Sequence, residues 1–229
     1  MTFICLPHAK KKTDRAKQGI AKIEKKNYFC GIKKKLPMGL SKTRQMLVDV
    51  ARQLFAREGK DNVTMNDIAT ASQKGRRTLY TYFQNKNAIY LAVIEKEISL
   101  LKEKVQQVFD KDIAPDQKLI EYIFTHLEAA REALSRNGSL RADFFRDIYE
   151  VEHARRHIDL WETDQIEQIV SDGIRQGIFS SQNAHLSALV IFYALKGVEQ
   201  AYFRDRNARL IDANRQEIIR VIFDGLKLK

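Results

Sequence analysis

The chain has 229 residues, 44% of them hydrophobic and 30% charged, with three prolines. That length and apolar content can bury one large core or two modest ones, and the dominance of Leu, Ile, Ala, Lys, Glu and Arg points to an all-α fold. The formal net charge of +11 suits an anionic partner, while the longest apolar run, Ala188 to Leu195, is too short for the ~20 residues of a membrane span.

The charge is unevenly spread. Residues 1–40 hold 11 Lys/Arg against Asp14 and Glu24, a net of +9, residues 41–90 carry a net of +5, and the remainder is −3. A basic front half on a faintly acidic back half suits a DNA-binding head on a regulatory body. Residues 1–40 read as a tail, with Lys10–Lys12 and Lys33–Lys35 bracketing weak periodicity. Three readings stay open for it: a disordered solvated tail, an upstream start with Met38 as the true first residue, or a basic arm on phosphate or in the minor groove. Cys5 and Cys30 lie in this tail without CxxC spacing or a His at ligand spacing, so neither a zinc site nor an oxidising compartment is expected. MTFICL runs into basic residues instead of a long apolar core, which argues against a signal peptide and leaves the cytoplasm as the default.

Ser41 is a good N-cap for a helix reaching Arg57, with Leu47, Val50, Ala51, Leu54 and Phe55 as its stripe and Gly59 as its stop. Thr64-Met-Asn-Asp67 matches a capping box opening a helix over Met65–Ala71. After Ser72-Gln-Lys-Gly75, a third helix runs from Arg76 to Tyr82, and Leu79 and Phe83 face back onto the head. This short helix, tight turn and second short helix have the layout of a helix-turn-helix, spanning 41–86. Residues 87–229 form the body. A long helix runs from Lys86 to Phe109. Others follow over Pro115–Ser135, Leu140–Tyr149, His153–Gln176, Asn183–Arg206 and Asp212–Lys227, making about nine helices in all.

Arg76 and Arg77 open the recognition helix, where a guanidinium can fork onto guanine O6 and N7 or grip phosphate. Two adjacent arginines at the end of a helix that disfavours cations, beside tyrosines, point to DNA contact. Arg76, Arg77, Thr78 and Tyr80 are assigned to the groove. Thr64, Tyr82 and Lys86 are assigned to phosphate, Thr64 and Lys86 from helix starts.

The stretch IATASQKGRRTLYTYFQNKNAIYLAVI resembles the DNA-binding signature of the tetracycline-repressor (TetR) family. The likeness spans about Ser41 to Val93 and includes LFAREG, the Thr-Met-x-x-Ile-Ala helix, Thr-Leu-Tyr-x-Tyr-Phe and Lys86. The turn departs from the family's usual Ala-Gly-Val-Ser: Gln73 stands where Gly is common, and Arg77 replaces another frequent Gly. The resemblance implies a homodimer of Ω-like all-helical subunits, joined through the last two helices and bound to a near-palindromic operator of double-stranded DNA. The sequence is compatible. Leu186, Leu189, Val190, Tyr193, Ala194, Gly197, Val198 and Ala201 form one stripe, and Ile218, Ile219, Ile222, Phe223 and Leu226 another; ordinary core is the competing reading of both.

The resemblance also implies a repressor released by a small molecule bound in the body. Phe124, His126, Phe145, Tyr149 and Trp161 are the candidate pocket residues, with plain core as the alternative for each. No ligand class follows. No Gly-rich loop, nucleophile elbow or cofactor site is visible, so an enzyme is not expected. Glu150 with His153 and His157 has ligand-like spacing, but the second motif of a di-iron bundle and the Glu of a zinc protease are missing. The rivals are a sequence-independent basic DNA binder without an effector and an activator of the same family.

Overall fold

A computed structural model describes residues 38–138, 147–204 and 208–224. Contacts divide the chain into Met1–Ser41 and Lys42–Lys229, and the packing below is that of the second unit. The tail with Cys5 and Cys30 and the aromatic Phe145 lie outside the described residues.

Among the described residues there are nine helices and no strand: α1 (Met38–Glu58), α2 (Met65–Ala71), α3 (Arg76–Tyr82), α4 (Lys86–Phe109), α5 (Pro115–Asn137), α6 (Ile148–Arg175), α7 (Ala184–Arg204), α8 (Ala208–Ala213) and α9 (Arg215–Asp224). Local signals set most of their ends. Gly59, at φ +83°, stops α1, and its N–H reaches Phe55 O at 2.8 Å. Asn85 caps α4 by accepting from the Ala88 N–H at 2.9 Å, and Pro115 occupies the first turn of α5.

Three expected boundaries are corrected. Ser41 lies inside α1 instead of capping it, because the helix already runs from Met38. The helix expected from His153 starts at Ile148, so the end of the expected Leu140–Tyr149 helix belongs to α6 and the rest of it falls outside the described residues. The helix expected over Asp212–Lys227 is interrupted: its first two residues close α8, α9 runs over Arg215–Asp224, and residues 225–227 lie outside the described residues. At the break, the Asn214 N–H bonds Ile211 O at 3.1 Å and its side-chain amide bonds Leu210 O at 2.8 Å, a local alternative to the helical ladder.

Two apolar clusters result. The head cluster joins Leu47 and Phe55 of α1, Ile68 of α2, Leu79 of α3, and Ile89 and Tyr90 of α4. The body cluster joins Leu101 and Val105 of α4 to Tyr122 and Ile123 of α5, Ile166 of α6, and Phe192 of α7. Each fully buried side chain of this size contributes about 1.5–3 kcal/mol. α4 thus serves both clusters.

Polar ties reinforce that link. Arg52 Nη1 of α1 donates to Arg136 O at the end of α5, at 2.9 Å. Lys60 Nζ, in the α1–α2 loop, pairs with Asp147 Oδ2 at 2.7 Å and sits 3.9 Å from the centre of the Tyr90 ring. Gly138, at φ +40°, passes so close to α1 that a Cβ there would lie 2.7 Å from Ala56 O.

Candidate DNA interface and body cluster

The capping box expected at Thr64 is formed. Thr64 Oγ1 accepts from the Asp67 N–H at 3.2 Å, and Asp67 Oδ2 accepts from the Thr64 N–H at 2.8 Å. Hydrogen bonds from the Thr64 hydroxyl and backbone hold the exposed Asp67 carboxyl below its ordinary range.

The turn after α2 is a Schellman motif. The Lys74 N–H bonds Ala69 O at 3.1 Å and the Gln73 N–H bonds Thr70 O at 3.0 Å. This geometry forces the intervening residue into the left-handed region, and Gln73 sits there at φ +53°. Gly75, the residue able to adopt such a conformation freely, is instead extended at φ −63°. Strain therefore resides at Gln73. We expect Gln73→Gly to stabilise the chain by about 1 kcal/mol, the left-handed penalty less glycine's entropy in the unfolded chain. A thermal melt of the variant checks this; an unchanged or lower midpoint contradicts it.

The turn aims α3. Leu79 and Phe83 are buried against the head, while Arg76, Arg77 and Tyr80 are exposed, Tyr80 to 46%. Thr78 is half-buried. The first turn of α3 holds no acid, so nothing on this helix end neutralises the two guanidiniums. Tyr82 is different: half-buried, it packs on the head cluster, leaving only part of its ring outside. Lys86 Nζ donates to Lys60 O at 2.8 Å and Asp61 O at 3.1 Å, so its charge also organises the loop ahead of α2. Sequence reasoning passed over Lys74, an exposed cation beside α3 on the same turn.

The profile of the bacterial regulatory proteins of the tetR family matches residues 47–93, which run from α1 through the recognition helix into α4. That segment is a tetR-type DNA-binding head. A transcriptional regulator of the helix-turn-helix type from Mycobacterium tuberculosis is 29% identical over 86 residues, covering 38% of this chain and 43% of that protein. One from Staphylococcus aureus is 33% identical over 67 residues, covering 29% and 36%. The chain thus aligns with less than half the length of these curated relatives. Solved structures agree over a longer span. A transcriptional regulator from Cytophaga hutchinsonii matches with a TM-score of 0.65 at 22% identity, over 80% of this chain and 98% of that one. A regulator from Saccharomonospora viridis, solved in complex with choline, matches with a TM-score of 0.65 at 18% identity, over 82% and 100%. At these identities the likeness is one of fold.

The body of the chain holds a buried charged cluster. His126, one of the pocket candidates, is 0% exposed and lies between two carboxylates. Its Nδ1 is 3.0 Å from Glu162 Oε1 and its Nε2 is 3.5 Å from Glu199 Oε2. Arg155 Nη1 donates to Glu199 Oε1 at 2.8 Å, and the Tyr122 hydroxyl reaches Glu162 Oε1 at 3.4 Å. Asp159 and Lys196 extend the cluster toward solvent. Burial disfavours the imidazolium, but Glu162 and Glu199 outweigh it and raise His126 to about 9. Glu199 is held below its ordinary range: burial opposes this, and Arg155 and His126 overcome it.

His126 rises from 6.5 to about 9 on folding, so its contribution, on the order of 3 kcal/mol, is complete below pH 6.5 and lost as pH rises through 9. Glu199, lowered on folding, contributes fully above its ordinary range and loses that contribution in acid. The thermal midpoint should therefore fall between about pH 6.5 and 9, and His126→Gln should flatten that fall; a parallel fall in the variant contradicts the assignment.

The other pocket candidates are dispersed. Phe124 packs on the body cluster. Trp161 stands edge-on to Phe109 at 5.4 Å, with Lys102 Nζ 4.8 Å from its ring centre. Tyr149 is 80% exposed, so its side chain lines no interior pocket. The missed residues, Arg155, Glu162 and Glu199, carried a signal. They stand in the inward stripes of their helices, beside Ile158 and Ile166 on α6 and Ile191 and Leu195 on α7. No group of three His, Cys, Asp or Glu among the described residues is arranged to hold a metal ion, and no described helix is long and apolar enough to cross a membrane.

Proposed function

We propose that the chain is a dimeric, sequence-specific DNA-binding regulator of transcription, a repressor released from a near-palindromic operator by a small molecule bound in its body. The observation that carries this reading is α3, which buries Leu79 and Phe83 and leaves Arg76, Arg77 and Tyr80 free for a major groove. Arg76, Arg77, Thr78 and Tyr80 read bases, and Thr64, Tyr82 and Lys86 clamp phosphate, Lys86 while bracing the loop at Lys60. Dimerisation is supported by the outer face of α7. Leu186, Val190 and Tyr193 are 57%, 62% and 66% exposed, and Gly197 has open space around it. This face continues into an apolar groove of about 350 Å³ with Leu210, Ile218 and Val221 of α8 and α9. Ile219 and Phe223 of the second stripe are core within the subunit. The choline complex of the similar regulator from Saccharomonospora viridis supports a small-molecule effector.

The test substitutes one exposed position on the α7 face. Val190→Glu should yield a folded monomer by light scattering and lose operator affinity, because one head then binds alone. A Val190→Glu chain that remains dimeric and binds DNA normally overturns this interface.

A further inference from the structure

Beside the charged cluster is a small cavity of about 60 Å³. Its walls are Ile94, Ile98 and Leu101 of α4, Ala130 and Ala133 of α5, and Val151 of α6, with Arg155, Glu199 and Glu97 as its polar edge. Arg155 is 8% exposed, and its Nη2 is a buried donor without a hydrogen-bond partner. A buried donor of this kind calls for an acceptor.

The charge of that acceptor follows from the surroundings. Arg155 pairs with Glu199 at 2.8 Å and Arg136 with Glu97 at 2.9 Å. Lys196 pairs with Asp159 at 3.5 Å, and His126 with Glu162 at 3.0 Å. Every cation around the cavity already faces an anion, so an ionised ligand would bring an uncompensated charge into a largely apolar space. We infer that the cavity binds a small, uncharged, aliphatic molecule carrying one carbonyl oxygen, which accepts from Arg155 Nη2 while its hydrocarbon part lies against Ile94, Leu101 and the α5 alanines. The inference rests on the effector reading above and names the ligand class. It also places the ligand on α4, the helix shared by both clusters.

The test uses the full chain and three probes with six heavy atoms each: 2-pentanone, butanoate and pentylammonium. Binding is followed by thermal midpoint and titration calorimetry, and operator affinity is measured separately. 2-Pentanone should raise the midpoint in a saturable way, with butanoate and pentylammonium at least about tenfold weaker. Ala133→Leu, which fills the cavity and leaves the ion pairs intact, should abolish 2-pentanone binding. Arg155→Lys, which keeps the charge without the second amino group, should reduce the preference for the ketone. Tighter binding of either ion, or ketone binding unchanged in Ala133→Leu, overturns the inference. No binding of 2-pentanone by a chain that still selects its operator overturns the ligand class and leaves the regulator standing. Ketone binding without any change in operator affinity upholds the site and overturns effector release.

Discussion

Replacing Arg77 by alanine should lower operator affinity and relax base preference at one position in each half-site. A guanidinium forked onto guanine is worth about 1–3 kcal/mol of discrimination, and a symmetric dimer uses it twice, so the loss per dimer is about 2–6 kcal/mol. Arg76→Ala should behave in the same direction, since both side chains are exposed on α3 with no acid in its first turn. Lys86→Ala should act differently. Its ammonium holds Lys60 O and Asp61 O, so its removal loosens the loop before α2 and weakens all sequences alike. Competition binding with single-base operator variants separates the two effects. If Arg77→Ala lost affinity with an unchanged preferred sequence, the arginine would be a phosphate clamp and not a reader of bases.

The largest effect on stability is expected in the body. Arg155→Ala leaves Glu199 and Asp159 without their guanidinium in a site where Glu199 is 5% exposed. Removing one partner of a buried ion pair costs roughly 3–5 kcal/mol. In a chain of this size that corresponds to a fall of about 10 °C in thermal midpoint. Glu199→Ala should be similarly costly. The double variant should lose less than the sum of the two, because neither charge is then left alone. Additive losses would mean that the two side chains act independently, contrary to their 2.8 Å contact.

The head was legible in the sequence because its signals are local. Thr64 with Asp67, the short spacing from Ser72 to Gly75, and the inward pair Leu79 and Phe83 fix α2 and α3 within a few residues of chain. The departure from glycine at Gln73 was legible too, but whether Gln73 or Gly75 would take the left-handed conformation was settled only by the backbone, at φ +53° for Gln73. The body was less so. Apolar periodicity continues through Ile211, Ile218 and Ile222, and it conceals the break that Asn214 makes with its own side chain. Aromatic content suggested Tyr149 for a pocket, but the inward positions of α6 are Arg155, Ile158, Glu162 and Ile166, and Tyr149 lies off that stripe. The charged members of the stripe were passed over because a lone Arg or Glu on a helix is normally solvated. Only the meeting of α5, α6 and α7 shows that each has a partner.

The most direct measurement is selection of bound sequences from a random duplex pool by the full chain at moderate salt. Two α3 helices in a dimer should lie roughly 34–36 Å apart, one turn of DNA, so the account predicts a single near-palindrome with half-sites about 10 base pairs between centres. Recovery of an unselected pool, with binding that falls steeply with salt and shows no half-site, would contradict it and point to attraction of phosphate by the basic residues alone.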